Sequence, residues 1–100
     1  MFNTLFAPKE KSYEQRKYEF EQKFNLLMFE LNMYNKSNKT FALYIDEETN
    51  YGFKGRIFNV VGLSLQDLNT HRPLIQETMQ CLWVMKIEQM KNYANIKIIT

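Results

Sequence analysis

The sequence predicts an α+β domain of order α-β-β-α-β, with two long helices packed on a small, mainly antiparallel sheet of three strands. Three observations carry that prediction. Two stretches, 12–34 and 70–93, repeat apolar residues at the three-and-four spacing of a buried helix face. Between them, 40–61 holds two runs rich in β-branched and aromatic residues around a polar turn, the pattern of a β-hairpin. A further run of that kind, a terminal strand, occupies 95–100. One hundred residues with 45% apolar and 15% aromatic content suit a single domain, 1–100. Area scaling buries roughly two-thirds of the extended chain's surface, enough for one modest core.

Residues 1–11 (MFNTLFAPKEK) carry Phe2, Leu5 and Phe6 before Pro8 and read as an irregular N-terminal arm, tucked over the core or exchanged between subunits. Ser12 and Gln15 have the form of a capping box, in which the hydroxyl accepts the third helical N–H and Gln15 reaches back. From there Tyr13, Phe20, Phe24, Leu27, Leu31 and Tyr34 form one stripe, interrupted by Lys17. The first half of this helix is charged off the stripe and is expected in water. The second half, Phe24–Tyr34, is apolar nearly all round and is expected deep in the core or against another chain.

Asn35–Lys39 breaks the helix. Thr40–Ile45 then reads as a strand with apolar residues on both faces, hence central. Asp46–Gly52 is its turn and Phe53–Val61 the return strand. Lys54 and Arg56, with Gly55 between them, suggest an edge position or a bulge there. Ser64 and Asp67 suggest a single helical turn. Asn69 or Thr70 then caps the long helix, with Pro73 tolerated in its first turn. Cys81–Met85 places apolar groups all round that helix, so its middle needs cover on several sides. A right-handed crossover sets the third strand beside the first, order 3-1-2. Such a fold leaves Met28, Phe29, Met33, Val84 and Met85 uncovered, and these five are expected to bury against a second copy in a homodimer.

Composition narrows function without naming it. A net charge of +2, from 13 Lys+Arg against 11 Asp+Glu, lacks the clear basic excess of committed nucleic-acid binders. One cysteine and one histidine make neither an internal disulfide nor a Cys/His zinc cage, which suits a reducing cytosol. No apolar run approaches the roughly 18 residues of a membrane span, so no membrane partner is expected. Abundant Asn, Lys, Ile and Phe with scarce Gly and Pro fit AT-rich coding DNA of the kind common in mobile elements.

No constellation points to catalysis, a cofactor or a metal. His71 opens the long helix, where the helix dipole disfavours its protonation, but no nucleophile or carboxylate is tied to it by sequence; it reads as a surface or capping residue. Cys81 lies in an apolar cluster and reads as packing rather than a thiolate. Gly52, Gly55 and Gly62 form no phosphate loop. Asp46, Glu47 and Glu48 read as a solvated turn or as an acidic patch for a basic partner. Lys54 and Arg56 share a strand face with Phe58, near Tyr51, while Lys36 and Lys39 lie in the preceding loop; such a weave can stack bases and hold phosphates. The helix-hairpin start invites comparison with the double-stranded-RNA-binding domain, but that fold wants three consecutive strands and a lysine cluster where this chain has THRPLIQE.

The expectation is therefore a non-enzymatic protein–protein interaction module of the cytosol. Small motif-free domains of this kind are typical of phage- or mobile-element-encoded inhibitors of host machinery, anti-CRISPR proteins among them. Such a module acts sterically, through Asp46, Glu47, Glu48, Tyr51, Lys54, Arg56 and Phe58. The alternative is a small nucleic-acid-binding module using Lys36, Lys39, Lys54 and Arg56 on phosphates.

Overall fold

The computed structural model describes residues 11–100, so the expectation for the N-terminal arm lies outside the described residues, Lys11 excepted. The chain is an α+β domain. Helix α1 (Tyr13–Glu30) leads to a hairpin of β1 (Ala42–Thr49) and β2 (Gly52–Phe58). Two short helices, α2 (Leu65–Thr70) and α3 (Arg72–Met79), connect it to a second hairpin of β3 (Leu82–Ile87) and β4 (Tyr93–Ile99). The four strands form one antiparallel sheet in the order β1-β2-β4-β3.

The ends of α1 follow from local chemistry. Ser12 has extended backbone angles and its hydroxyl accepts the Gln15 N–H at 3.2 Å, the cap half of the expected box. The helix stops at Leu31, short of Tyr34, because Asn32 turns left-handed at φ 59°. Asn32 then donates to the Phe29 carbonyl and Met33 to the Met28 carbonyl, a Schellman closure that brings Met28 and Met33 together in the core. The charged first half does not stand free: Tyr13 and Phe20 lie against Phe53 at ring-centroid distances of 6.5 and 5.6 Å.

The expected helix over 70–93 is not formed. Apart from Thr70, which ends α2, only Arg72–Met79 is helical there, with Ile75 and Met79 buried and Pro73 in the first turn. Gln80 turns left-handed (φ 54°) and Gln76 closes the end. Its carbonyl accepts the Cys81 N–H at 3.1 Å, and its side-chain oxygen accepts the Trp83 N–H at 2.9 Å. Beyond that point Trp83, Met85 and Ile87 face inward while Leu82, Val84 and Lys86 face out, a period of two. Apolar groups all round a supposed helix are here the two faces of a strand rich in β-formers. A short apolar run of this kind satisfies both periods, and tertiary pairing with β4 decides.

The extra strand also overturns the order 3-1-2. The last strand pairs with β2 on one side and β3 on the other, so β1 is an edge and the charged β2 is central. Leu43 and Ile45 are buried, but Tyr44 between them is exposed. The bulge expected near Gly55 lies opposite it, on β1 between Ile45 and Glu47. A Cβ on Gly55 would stand 2.2 Å from the Tyr44 carbonyl oxygen, so only glycine lets the two backbones pass. The edge is further protected by Glu21 of α1, whose carboxylate accepts the Ile45 N–H at 2.8 Å.

All described helices pack on one face of the sheet. Trp83, Phe24, Met28, Ile57, Leu68, Ile75 and Ile98 are the largest fully buried groups there, together with Phe41. Phe24 stacks on Trp83 at 5.4 Å and ties α1 to the far edge strand.

Candidate interaction surface on the open sheet face

No described element covers the second face of the sheet, and strand register arranges its side chains in rows. At one end Ala42, Phe58 and Tyr93 lie side by side. The next row runs Tyr44, Arg56, Asn95, Lys86, and the next Glu47, Lys54, Lys97, Val84. Ile99 and Leu82 lie beside Gly52 at the other end. The face therefore has an aromatic end, a charged middle and an aliphatic end.

The aromatic end is a continuous cluster on three strands. Tyr44 meets Phe58 edge-on at 5.4 Å, and Phe58 meets Tyr93 at 5.5 Å. Tyr44 is 54% exposed, so its ring offers a free surface. Cations flank the rings: Arg56 lies 5.5 Å from the Phe58 centroid and Lys91 5.4 Å from that of Tyr93. Asp46, the extra residue of the bulge, holds Arg56 in place with two hydrogen bonds of 2.9 and 3.0 Å. That bonding, and then the charge of Asp46, raises the Arg56 pKa above its ordinary value.

In the middle rows Lys54 stands 3.9 Å from Glu47, a loose pair at the surface. Among the described residues no carboxylate lies within ion-pair distance of Lys86 or Lys97. Lys97 instead sits over the Tyr51 ring at 4.9 Å. Two shallow hollows mark the face, about 420 Å³ around Tyr44, Arg56 and Phe58 and about 390 Å³ between Lys54, Lys86, Asn95 and Lys97.

The residues singled out from sequence are thus partly assembled. Asp46, Glu47, Lys54, Arg56 and Phe58 share the open face, and Tyr51 reaches it from the β1–β2 turn through Lys97. Glu48 does not: it pairs in register with buried Phe53 and forms an ion pair with Arg16 on the helix side. Lys36 and Lys39 stay in the loop before β1, which Asn35 organises by accepting the Ser37 and Lys39 N–H groups at 2.9 and 3.0 Å. Tyr44, Lys86, Tyr93, Asn95 and Lys97 were not singled out. The alternation Tyr93-Ala94-Asn95-Ile96-Lys97-Ile98 was the available signal, and the pairing of β4 with β2 was the missing step.

The five residues expected to self-associate do not make one patch. Met28 and Met33 are buried within the chain, and Met85 packs half-buried against the same core. Phe29 is partly exposed on α1, stacked with Tyr34, whereas Val84 is exposed on the opposite side of the sheet.

His71 links α2 to α3, its Nδ1 2.9 Å from the Asp67 carbonyl oxygen and 3.4 Å from the Thr70 hydroxyl, which itself donates to that carbonyl at 2.6 Å. Cys81 is buried, and burial raises its thiol pKa against a smaller opposing effect of Lys23. Among the described residues no three His, Cys, Asp or Glu side chains converge as metal ligands, and no helix is long and apolar enough to cross a membrane.

No protein-family model matches the chain, and no curated protein matches it. Among solved structures its fold is similar to part of the pCW3 conjugation coupling protein TcpA, in its monomer form with ATPγS. The likeness has a TM-score of 0.65 at 14% sequence identity and covers 82% of this chain. The chain spans about a quarter of that protein's length, 23%, so the likeness is one of fold.

Proposed function

We propose that this chain is a non-enzymatic binding module whose working surface is the open face of the sheet. One observation carries the reading: the described helices leave that face bare, and it gathers aromatic rings on three adjacent strands beside Lys54, Arg56, Lys86 and Lys97. The absence of a glycine-rich phosphate loop in the sequence argues against nucleotide hydrolysis by this chain itself. A phage-encoded steric inhibitor, anti-CRISPR proteins included, draws its support from chain size and composition and would use the same face.

The test is capture from lysate of the source cells by the tagged full-length chain. Tyr44→Ala with Val84→Ser on the open face abolishes capture, whereas Tyr18→Ser on exposed α1 leaves it intact. The reverse pattern removes the open face as the working surface.

Self-association is a second reading, favoured by the contrast between the two sheet edges. The β1 edge is bulged and acidic, while the β3 edge carries exposed Leu82 and Val84 with Lys86 and no acid. A solution mass of twice 12.1 kDa that falls to one chain in Val84→Lys supports it.

A further inference from the structure

We infer that the occupant of the open face is single-stranded nucleic acid, bases stacked on Tyr44, Phe58 and Tyr93 and phosphates over Lys86 and Lys97. The inference rests on the reading of that face as the working surface and names its ligand. Charge favours a polyanion. The face presents Lys54, Arg56, Lys86 and Lys97 against Asp46, Glu47 and Glu88; Asp46 and Glu47 are engaged with Arg56 and Lys54, and Glu88 accepts from the Asn95 side-chain amide at 2.7 Å. The excess charge is thus concentrated on β3 and β4, where Lys86 and Lys97 have no carboxylate within ion-pair distance among the described residues.

The arrangement of apolar groups separates this ligand from a protein. Protein interfaces put their apolar anchors at the centre, deplete charge there and are poor in lysine. Here the two charged rows run through the middle, with Tyr44 and Val84 only at their ends, and lie between the rings of Phe58 and Tyr93 and the aliphatic end at Leu82 and Ile99. A single strand needs the opposite layout: exposed rings at one side for the bases and a basic row alongside for the backbone. Neighbouring strands lie about 4.8 Å apart, so the rings on β1, β2 and β4 span room for two or three bases, each on its own ring, since Tyr44 stands edge-on to Phe58 and Tyr93 is tilted 40° from it. Asp46 clamps Arg56 beside the Phe58 ring, which keeps a cationic plane at the platform's inner edge. Base stacking is sequence-tolerant, so little discrimination among bases is expected from the rings.

Fluorescence anisotropy of the full-length chain with labelled twelve-nucleotide dT and rU oligonucleotides, and with a twelve-base-pair blunt duplex, tests the inference. Binding to at least one single strand at 50 mM salt is expected, at least tenfold tighter than to the duplex. Comparing dT with rU tells DNA from RNA. Tyr93→Ala weakens binding about tenfold, within the range for one stacked base. Lys86→Glu with Lys97→Glu weakens it more than tenfold and lowers the slope of log K against log salt by about 1.4, two contacts at roughly 0.7 each. Lys23→Glu on α1 leaves binding unchanged. Equal affinity for duplex and single strand, with Tyr93→Ala silent, overturns the stacking account. No binding to any oligonucleotide overturns the ligand; if Tyr44→Ala with Val84→Ser still abolishes capture of a nuclease-resistant protein, the open face stands as a protein surface.

Discussion

Phe24 and Trp83 stack with their rings 10° from parallel and 5.4 Å apart, joining the middle of α1 to a strand at the far edge of the sheet. Both side chains are essentially fully buried, and among the described residues the Trp83 indole N–H has no hydrogen-bond partner. This pair holds the helical layer onto the β3–β4 hairpin. Trp83→Ala is expected to cost about 3–5 kcal/mol, a large share of a small domain's stability. Trp83→Phe costs about 1 kcal/mol, because losing an unpaired buried donor offsets part of the lost volume. A Phe24/Trp83 double-mutant cycle in urea unfolding returns a coupling of about 0.5–1.5 kcal/mol; additivity would show that the stack contributes nothing beyond area.

Gly55 gives a sharper backbone test. A methyl group there meets the Tyr44 carbonyl oxygen at 2.2 Å, and both partners are main chain with no side chain to move aside. Gly55→Ala is expected to lower the melting temperature by many degrees, while Lys54→Ala next to it on the exposed face changes it little. An unchanged melt in Gly55→Ala would mean that the bulge on β1 opens freely.

The buried Cys81 thiol makes stability fall on the alkaline side. Its folded pKa lies above its unfolded value, so between the two the folded state holds a proton that the unfolded state has lost. Stability is complete below the unfolded value of about 8.5 and declines as pH rises through the folded value. Comparing urea midpoints at neutral pH and above about pH 9 detects the decline, and Cys81→Ala, measured against its own neutral value, removes this part of it. The same burial keeps Cys81 slow toward iodoacetamide at neutral pH until the chain unfolds.

Asp46→Asn separates the structural from the electrostatic role of the Arg56 clamp. The pair is solvent-exposed, so the melting temperature stays essentially unchanged. Affinity for a single-stranded oligonucleotide rises, since a carboxylate leaves the face and Arg56 is freed for phosphate. A fall in affinity would show instead that holding Arg56 beside Phe58 matters more than its free charge.

Much of this architecture is legible in the sequence. Ser12 and Gln15 mark the start of α1, Ser64 that of α2, and the breaker at Asn35–Lys39 and the existence of the first hairpin follow from composition. Asp46–Thr49, expected in its turn, instead continue β1 and leave only Asn50 and Tyr51 to turn the chain. Val84, Met85 and Ile87 defeat the reading, because their segment fits the helical period as a continuation of Ile75 and Met79 and fits a strand equally well. What turns the chain is local: Gln80 takes a left-handed conformation and Gln76 satisfies the N–H groups that follow. Without glycine or proline at that point, composition carries no stop signal. One missed strand then propagates. It hides the second hairpin, moves β1 from edge to centre, and leaves Met28 and Met33 without the cover that the Schellman closure and the core supply.

The candidate surface is legible to the same extent. Lys54, Arg56 and Phe58 alternate on one strand and are seen together, with Asp46 and Glu47 nearby. Tyr44 is read as part of a doubly buried strand, and Tyr93 as a helix end. Their rings meet Phe58 only through the register of β1 and β4 with β2, which the sequence does not print.

Amide chemical-shift mapping during titration with a short dT or rU oligonucleotide locates the bound strand on the domain. Shifts confined to the open face are expected, strongest at Tyr44, Arg56, Phe58, Lys86, Tyr93 and Lys97, with α1 silent at Tyr18 and Lys23. Shifts centred on α1, or on the loop holding Lys36 and Lys39 with the open face silent, would contradict this placement.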